Sequence, residues 1–184
     1  MHRRDILRYT TLATGAAIVF PVTSITWSGC HAESTSATSL SFFSSDEIDL
    51  VIQIIDVILP KTDSPSASEV GVHLMIDNMI GKLYDEDDRT KYRSRFKSLK
   101  GYLEERKFNR AENNQRLNIL NHINNRGDVD IPVADVFLEL RQQTIACYLS
   151  TEEIGTNYLN YLPVPGEYEG CIELASVGHK AWAL

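Results

Sequence analysis

The sequence predicts an all-helical fold: a single bundle of five to six helices with an irregular C-terminal segment. Three observations point there. Apolar residues recur at spacings of three and four through most of residues 44–161, the signature of helices with one buried face. Capping pairs, acidic clusters, prolines and glycines fall where those stripes start and stop. No run alternates apolar and polar residues as a half-buried strand would.

Ser44 and Glu47, at capping-box spacing, open the first stripe of Ile48, Val51, Ile52, Ile55, Ile58 and Leu59, which Pro60 ends. Residues 61–68 form a turn-rich loop around Asp63-Ser64-Pro65. Val72, Ile76, Met79, Ile80 and Leu83 make the second stripe. The carboxylates of Asp85-Glu86-Asp87-Asp88 suit the positive end of a third helix, whose buried face is Tyr92, Phe96, Leu99 and Leu103. Leu117, Leu120 and Ile123 mark a fourth, with Gly127 as its stop. Pro132 starts a fifth, carrying Val133, Val136, Phe137, Leu140 and Ile145. Ser150 and Glu153 repeat the capping spacing for a short sixth through about Tyr161. Pro163, Pro165, Gly166, Gly170 and Gly178 then break the tail into short pieces.

Three stretches divide the chain. Residues 1–30 read as an export signal: Arg3 and Arg4 are adjacent, Ile6-Leu7 follow, and residues 11–22 are uncharged. That apolar stretch falls short of the ~20 residues a spanning helix needs. The paired arginines point to the twin-arginine translocase, which carries folded proteins, and so to a periplasmic location. Ser28-Gly29-Cys30 is similar to the end of a lipoprotein signal, although Trp27 stands where an aliphatic residue is usual. Either Cys30 is acylated and anchors the chain at the membrane surface, or cleavage nearby, such as after Ala32, releases a soluble protein. Residues 31–43, rich in Ser, Thr and Ala, read as a flexible tether. Residues 44–184 are the helical domain, of ordinary single-domain size.

Residues 1–30 hold three basic residues and one acid, so without them the totals of 18 and 25 become 15 and 24, a formal charge of −9. No basic stripe remains to follow a phosphate backbone, which argues against nucleic-acid binding. No glycine-rich nucleotide loop, G-x-S-x-G elbow, HExxH or CxxCH motif occurs. Glu69, His73 and Asp77 share a helix face at metal-ligand spacing, but local charge pairs on a solvated face use the same spacing. The run 85–88 lacks the glycine and terminal Glu of a calcium loop and reads as a helix start. Of the cysteines other than Cys30, Cys147 and Cys171 are the pair available for a disulfide in an oxidising compartment. A buried free thiol is an equally natural reading of Cys147. No residue stands out as catalytic, cofactor-binding or metal-ligating.

Several blocks carry a resemblance. Leu59-Pro60-Lys61-Thr62-Asp63-Ser64-Pro65-Ser66-Ala67, then Gly71-Val72-His73 and Ile76-Asp77, form the first. Phe137-Leu138-Glu139-Leu140-Arg141, residues 148–155 and Leu159-Asn160-Tyr161 form the second, and residues 164–171, Val-Pro-Gly-Glu-Tyr-Glu-Gly-Cys, close the set. Over roughly residues 45–175 the chain resembles the gluconate 2-dehydrogenase subunit 3 family. It departs at Pro65-Ser66-Ala67, where the family usually has a glycine-containing turn, and residues 85–130 match only in helical spacing.

The resemblance implies a small accessory subunit that supports export and stability of a catalytic partner. That partner is a flavoprotein of the glucose-methanol-choline type, which holds FAD and oxidises a sugar or sugar acid. A cytochrome c subunit carrying haem c often passes the electrons onward. No cofactor is expected in this chain itself, and membrane association would come through the lipid or the complex. The candidate partner contact is the C-terminal segment, where a Pro165-Gly166 turn would present Tyr161, Tyr168 and Trp182. The competing reading is that these rings close the open end of the bundle. The loop 62–68 is a second candidate. From a different class, the alternative function is a free-standing periplasmic or membrane-anchored helical lipoprotein acting as a binding or scaffold module.

Overall fold

The computed structural model describes residues 40–162, 164, 166 and 170–183. Six α-helices pack together: α1 (Ser45–Ile58), α2 (Val72–Leu83), α3 (Glu86–Glu105), α4 (Asn113–Asn124), α5 (Ile131–Leu149) and α6 (Glu152–Asn157). Short 3-10 turns lie at Phe108–Arg110 and Leu174–Val177. No strand occurs among the described residues, only a single parallel bridge between Asn160 and Trp182. Among the described residues, no helix is long and apolar enough to cross a membrane.

The helix starts follow the sequence chemistry. Ser44 and Glu47 form the expected capping box on α1, the Ser44 N–H donating to the Glu47 carboxylate at 2.9 Å. Asp85 caps α3 by accepting the Asp88 N–H at 2.8 Å. Pro132 sits in the first turn of α5, where a missing N–H leaves no helix bond unmade. Two expectations about helix ends need correction. At α4 the left-handed residue is Arg126 (φ 49°), not Gly127. Arg126 N–H reaches Ile123 O and Gly127 N–H reaches His122 O, a Schellman closure with Gly127 one place further along. The Ser150–Glu153 pair does not cap α6, because Ser150 ends α5 with its hydroxyl on Cys147 O, and Thr151 is the N-cap.

The core gathers on α5, which packs against α1, α2, α3, α4 and α6. On α3 the buried face is Tyr92, Phe96, Leu99 and Leu103, as the spacing predicts. Elsewhere the stripes shift. Leu50 and Ile54 are buried on α1, whereas Ile52 and Ile58 are only partly covered. Leu83, in the last turn of α2, is 78% exposed, and Leu117 near the start of α4 is exposed too. On α5, Thr144 is fully buried where the stripe predicts Ile145, and its hydroxyl is satisfied by Leu140 O at 2.7 Å. The disulfide is not formed. Cys147 is buried in the last turns of α5 and Cys171 is exposed in the C-terminal segment, and both are free thiols. Burial pushes the Cys147 thiol up from its ordinary pKa, which suits an inert packing residue.

The folded body begins before α1. Ser41, Phe42 and Phe43, assigned by composition to the tether, are bonded onto α2 and α3, and Phe43 is buried.

Candidate functional site

Three constructions flank the bundle: an N-terminal lead-in, the loop between α1 and α2, and the C-terminal segment. Each is fixed by polar side chains, but they differ in what they leave exposed.

The lead-in is held by Asp77, a carboxylate only 1% exposed on the core side of α2. It accepts the backbone N–H groups of Ser41 (2.6 Å), Phe42 (3.0 Å) and Phe43 (2.8 Å). Three donors of this kind satisfy a buried charge that would otherwise be costly. Arg93 of α3 donates to Phe42 O at 2.6 Å and lies 4.1 Å over the Phe42 ring. Phe43 packs against Phe96 and Tyr92. Gly81 permits the close approach, since a Cβ there would sit 2.5 Å from the Ser41 Cβ.

The loop at 59–71 closes on itself and on the bundle. Asp56 accepts both the N–H and the hydroxyl of Ser68, at 2.9 and 2.7 Å. Glu69 accepts the Ser66 N–H (2.9 Å) and pairs with Lys61 (2.7 Å), contacts that lower the Glu69 pKa and raise that of Lys61. Tyr148 of α5 donates toward Ser64 Oγ and Pro65 O. Gly71, at φ 77°, makes the turn into α2. Glu69 and Asp77 are therefore engaged with separate partners, Lys61 and Ser66 for one and the lead-in for the other. Among the described residues no group of three or more His, Cys, Asp or Glu is placed to hold a metal. His73 has Nδ1 buried without a partner. Burial pushes its pKa down, against the opposing pull of the Asp56 and Asp77 carboxylates.

A polar cluster ties α2, α3 and α5 together. Tyr84 donates to Glu139 at 2.9 Å, Gln143 donates to Tyr84 at 2.8 Å, and Arg95 pairs with Glu139 at 2.9 Å. Burial and the Glu139 carboxylate push the Tyr84 phenol up, so this tyrosine stays a donor at neutral pH.

The C-terminal segment is hooked back onto the chain leaving α6. Asn160 N–H donates to Ala181 O at 2.8 Å, and Ala183 N–H donates to Asn160 O at 2.9 Å. The Asn160 side chain donates to Val177 O and Lys180 O at 2.9 and 2.8 Å. The hook nevertheless leaves its apolar side chains in solvent. Ten large apolar side chains are exposed among the described residues, and six of them lie here: Tyr161, Leu162, Val164, Ile172, Leu174 and Trp182. Tyr161 is 57% and Trp182 50% exposed, so each ring stands about half in solvent. Gly166 is exposed as well. Pro165 and Tyr168, like Arg3, Arg4 and Cys30, lie outside the described residues.

A family model described as gluconate 2-dehydrogenase subunit 3 matches residues 45–166. The chain belongs to this family. No curated protein and no solved structure matches the chain. The subunit 3 match begins at the first residue of α1, spans all six helices and ends in the C-terminal segment. The loop 59–71, Tyr148 and Asn160 fall within it, whereas the lead-in and the returning segment at 181–183 lie outside.

Tyr161 and Trp182, named from the sequence, are both exposed, whereas Asn160, which holds their segment, carries no signal of its own. Asn160 was visible only as part of a family block, and its role depends on a return of some 20 residues along the chain. Asp77 carried a usable signal, an acid directly beside Ile76 on the buried stripe. Gly81 carried another, a glycine inside a helix with no cap to form.

Proposed function

We propose that this chain is a small accessory subunit, without catalytic residues of its own, of an exported FAD-dependent sugar or sugar-acid dehydrogenase. Membership of the gluconate 2-dehydrogenase subunit 3 family over residues 45–166 carries the reading. In it, a glucose-methanol-choline-type flavoprotein holds FAD and oxidises the substrate, and a cytochrome c subunit takes the electrons onward. This chain contributes the twin-arginine signal with Arg3 and Arg4, and supports export and stability of the flavoprotein. Acylation of Cys30 anchors it to the membrane on the periplasmic side. The docking surface is the C-terminal segment around Tyr161, Pro165, Gly166, Tyr168 and Trp182. What supports this part is that six of the ten exposed large apolar side chains among the described residues lie in that segment, since apolar surface gathered in water marks interaction sites.

The test is to capture the tagged full-length chain from native membrane and periplasmic fractions, then read the absorption spectrum and the partners by mass spectrometry. A yellow eluate containing a large flavoprotein, lost from the periplasm when Arg3 and Arg4 are both changed to Lys, is the expected result. A colourless, solitary protein would remove the dehydrogenase role and leave a helical scaffold lipoprotein.

A further inference from the structure

The lead-in is the stretch through which the described body joins the leader, and everything that holds it comes from α2 and α3. Asp77, 36 residues further along the chain, takes the Ser41 N–H and those of the next two residues. Arg93, 51 residues from Phe42, takes its carbonyl and covers its ring. Phe43 is buried against Tyr92 and Phe96. These partners come from two helices, Asp77 and Gly81 from α2 and Arg93, Tyr92 and Phe96 from α3, so the lead-in is held in full only when both helices are formed and meet at it.

We infer that residues 41–43 are a fold-dependent latch for export. While the bundle is unformed, the end of the stretch that follows the leader presents Phe42 and Phe43 to solvent. Once α2 and α3 are formed around the lead-in, Phe43 is withdrawn and Phe42 is capped by Arg93. A translocase that carries folded passengers thus meets, past the leader and the Ser/Thr-rich stretch after it, a segment whose state reports on partners 36 and 51 residues further along the chain. The latch rests on the twin-arginine reading proposed above.

The experiment follows the full-length precursor in its native host, scoring the exported, processed fraction by immunoblot. Gly81→Ala drives a methyl group into Ser41 and lifts the lead-in while α2 keeps a good helix former. Ile123→Val and Leu120→Ala lie in α4, away from the residues that bond the lead-in, and whichever lowers the unfolding midpoint as far as Gly81→Ala serves as the matched control. Gly81→Ala is expected to lower the exported fraction several-fold, with the matched control exported like the parent chain. Equal loss in both, or normal export of Gly81→Ala, overturns the latch alone. Normal export of the Arg3→Lys, Arg4→Lys chain overturns the leader reading and the latch with it.

Discussion

The two ends of the described chain are tied down in similar ways and with opposite results. At the N-terminal end one side chain, Asp77, gathers three backbone N–H groups, and the aromatic residues beside them go into the core. At the C-terminal end one side chain, Asn160, gathers two carbonyls, yet the apolar residues beside them stay in water. Hydrogen bonding fixes a segment's path, whereas burial of apolar area, at ~25 cal/mol per Å², supplies most of the driving force. The lead-in has both. The C-terminal hook has its path set and its apolar side chains left in solvent.

The largest effect should come from breaking the N-terminal tie. Asp77→Ala leaves three backbone donors without their acceptor and should lower unfolding free energy by about 3 kcal/mol, read by urea unfolding of residues 31–184. The matching change at the other end is Tyr161→Ala with Trp182→Ala. It should leave the unfolding midpoint of the isolated chain where it was and weaken binding to the flavoprotein by roughly 2 kcal/mol, about 30-fold. Asn160→Ala keeps the backbone bonds of the bridge and removes the two side-chain ones. Its global cost should stay below about 1 kcal/mol, with faster amide exchange across residues 178–183 as the visible consequence.

The smallest effect belongs to His73, on the same helix as Asp77. Burial holds its folded pKa below the ordinary value of about 6.5, so as pH falls the unfolded chain takes up a proton first. The stability carried by the neutral ring is therefore complete above about pH 6.5 and declines as pH drops toward the folded value. His73→Gln should flatten that part of the stability–pH curve while leaving the midpoint at pH 8 nearly unchanged.

Much of this fold was legible in the sequence, and the failures have physical reasons. The α3 face was read residue for residue because that helix lies on the surface with one side buried, the condition under which a period of 3.6 is visible. Helix α5 was blurred because five other helices surround it, so its buried arc widens and admits Thr144. Leu83 and Leu117 sit on good stripes near helix ends, where no facing element covers them. The lead-in was hidden by its composition, since Ser41 and two phenylalanines after a Ser/Thr/Ala run say nothing of a carboxylate 36 residues on. At the candidate site the exposed aromatic residues were legible by type, whereas the Asn160 hook depends on a long-range return with no periodic trace.

The most direct test of the account is hydrogen exchange of residues 31–184, alone and bound to the flavoprotein that the proposed capture experiment would yield. The account predicts new protection concentrated in residues 158–183, with the amides of residues 41–43 equally protected in both states. Protection appearing instead on the loop 59–71 or along α4, with residues 158–183 exchanging unchanged, would contradict it.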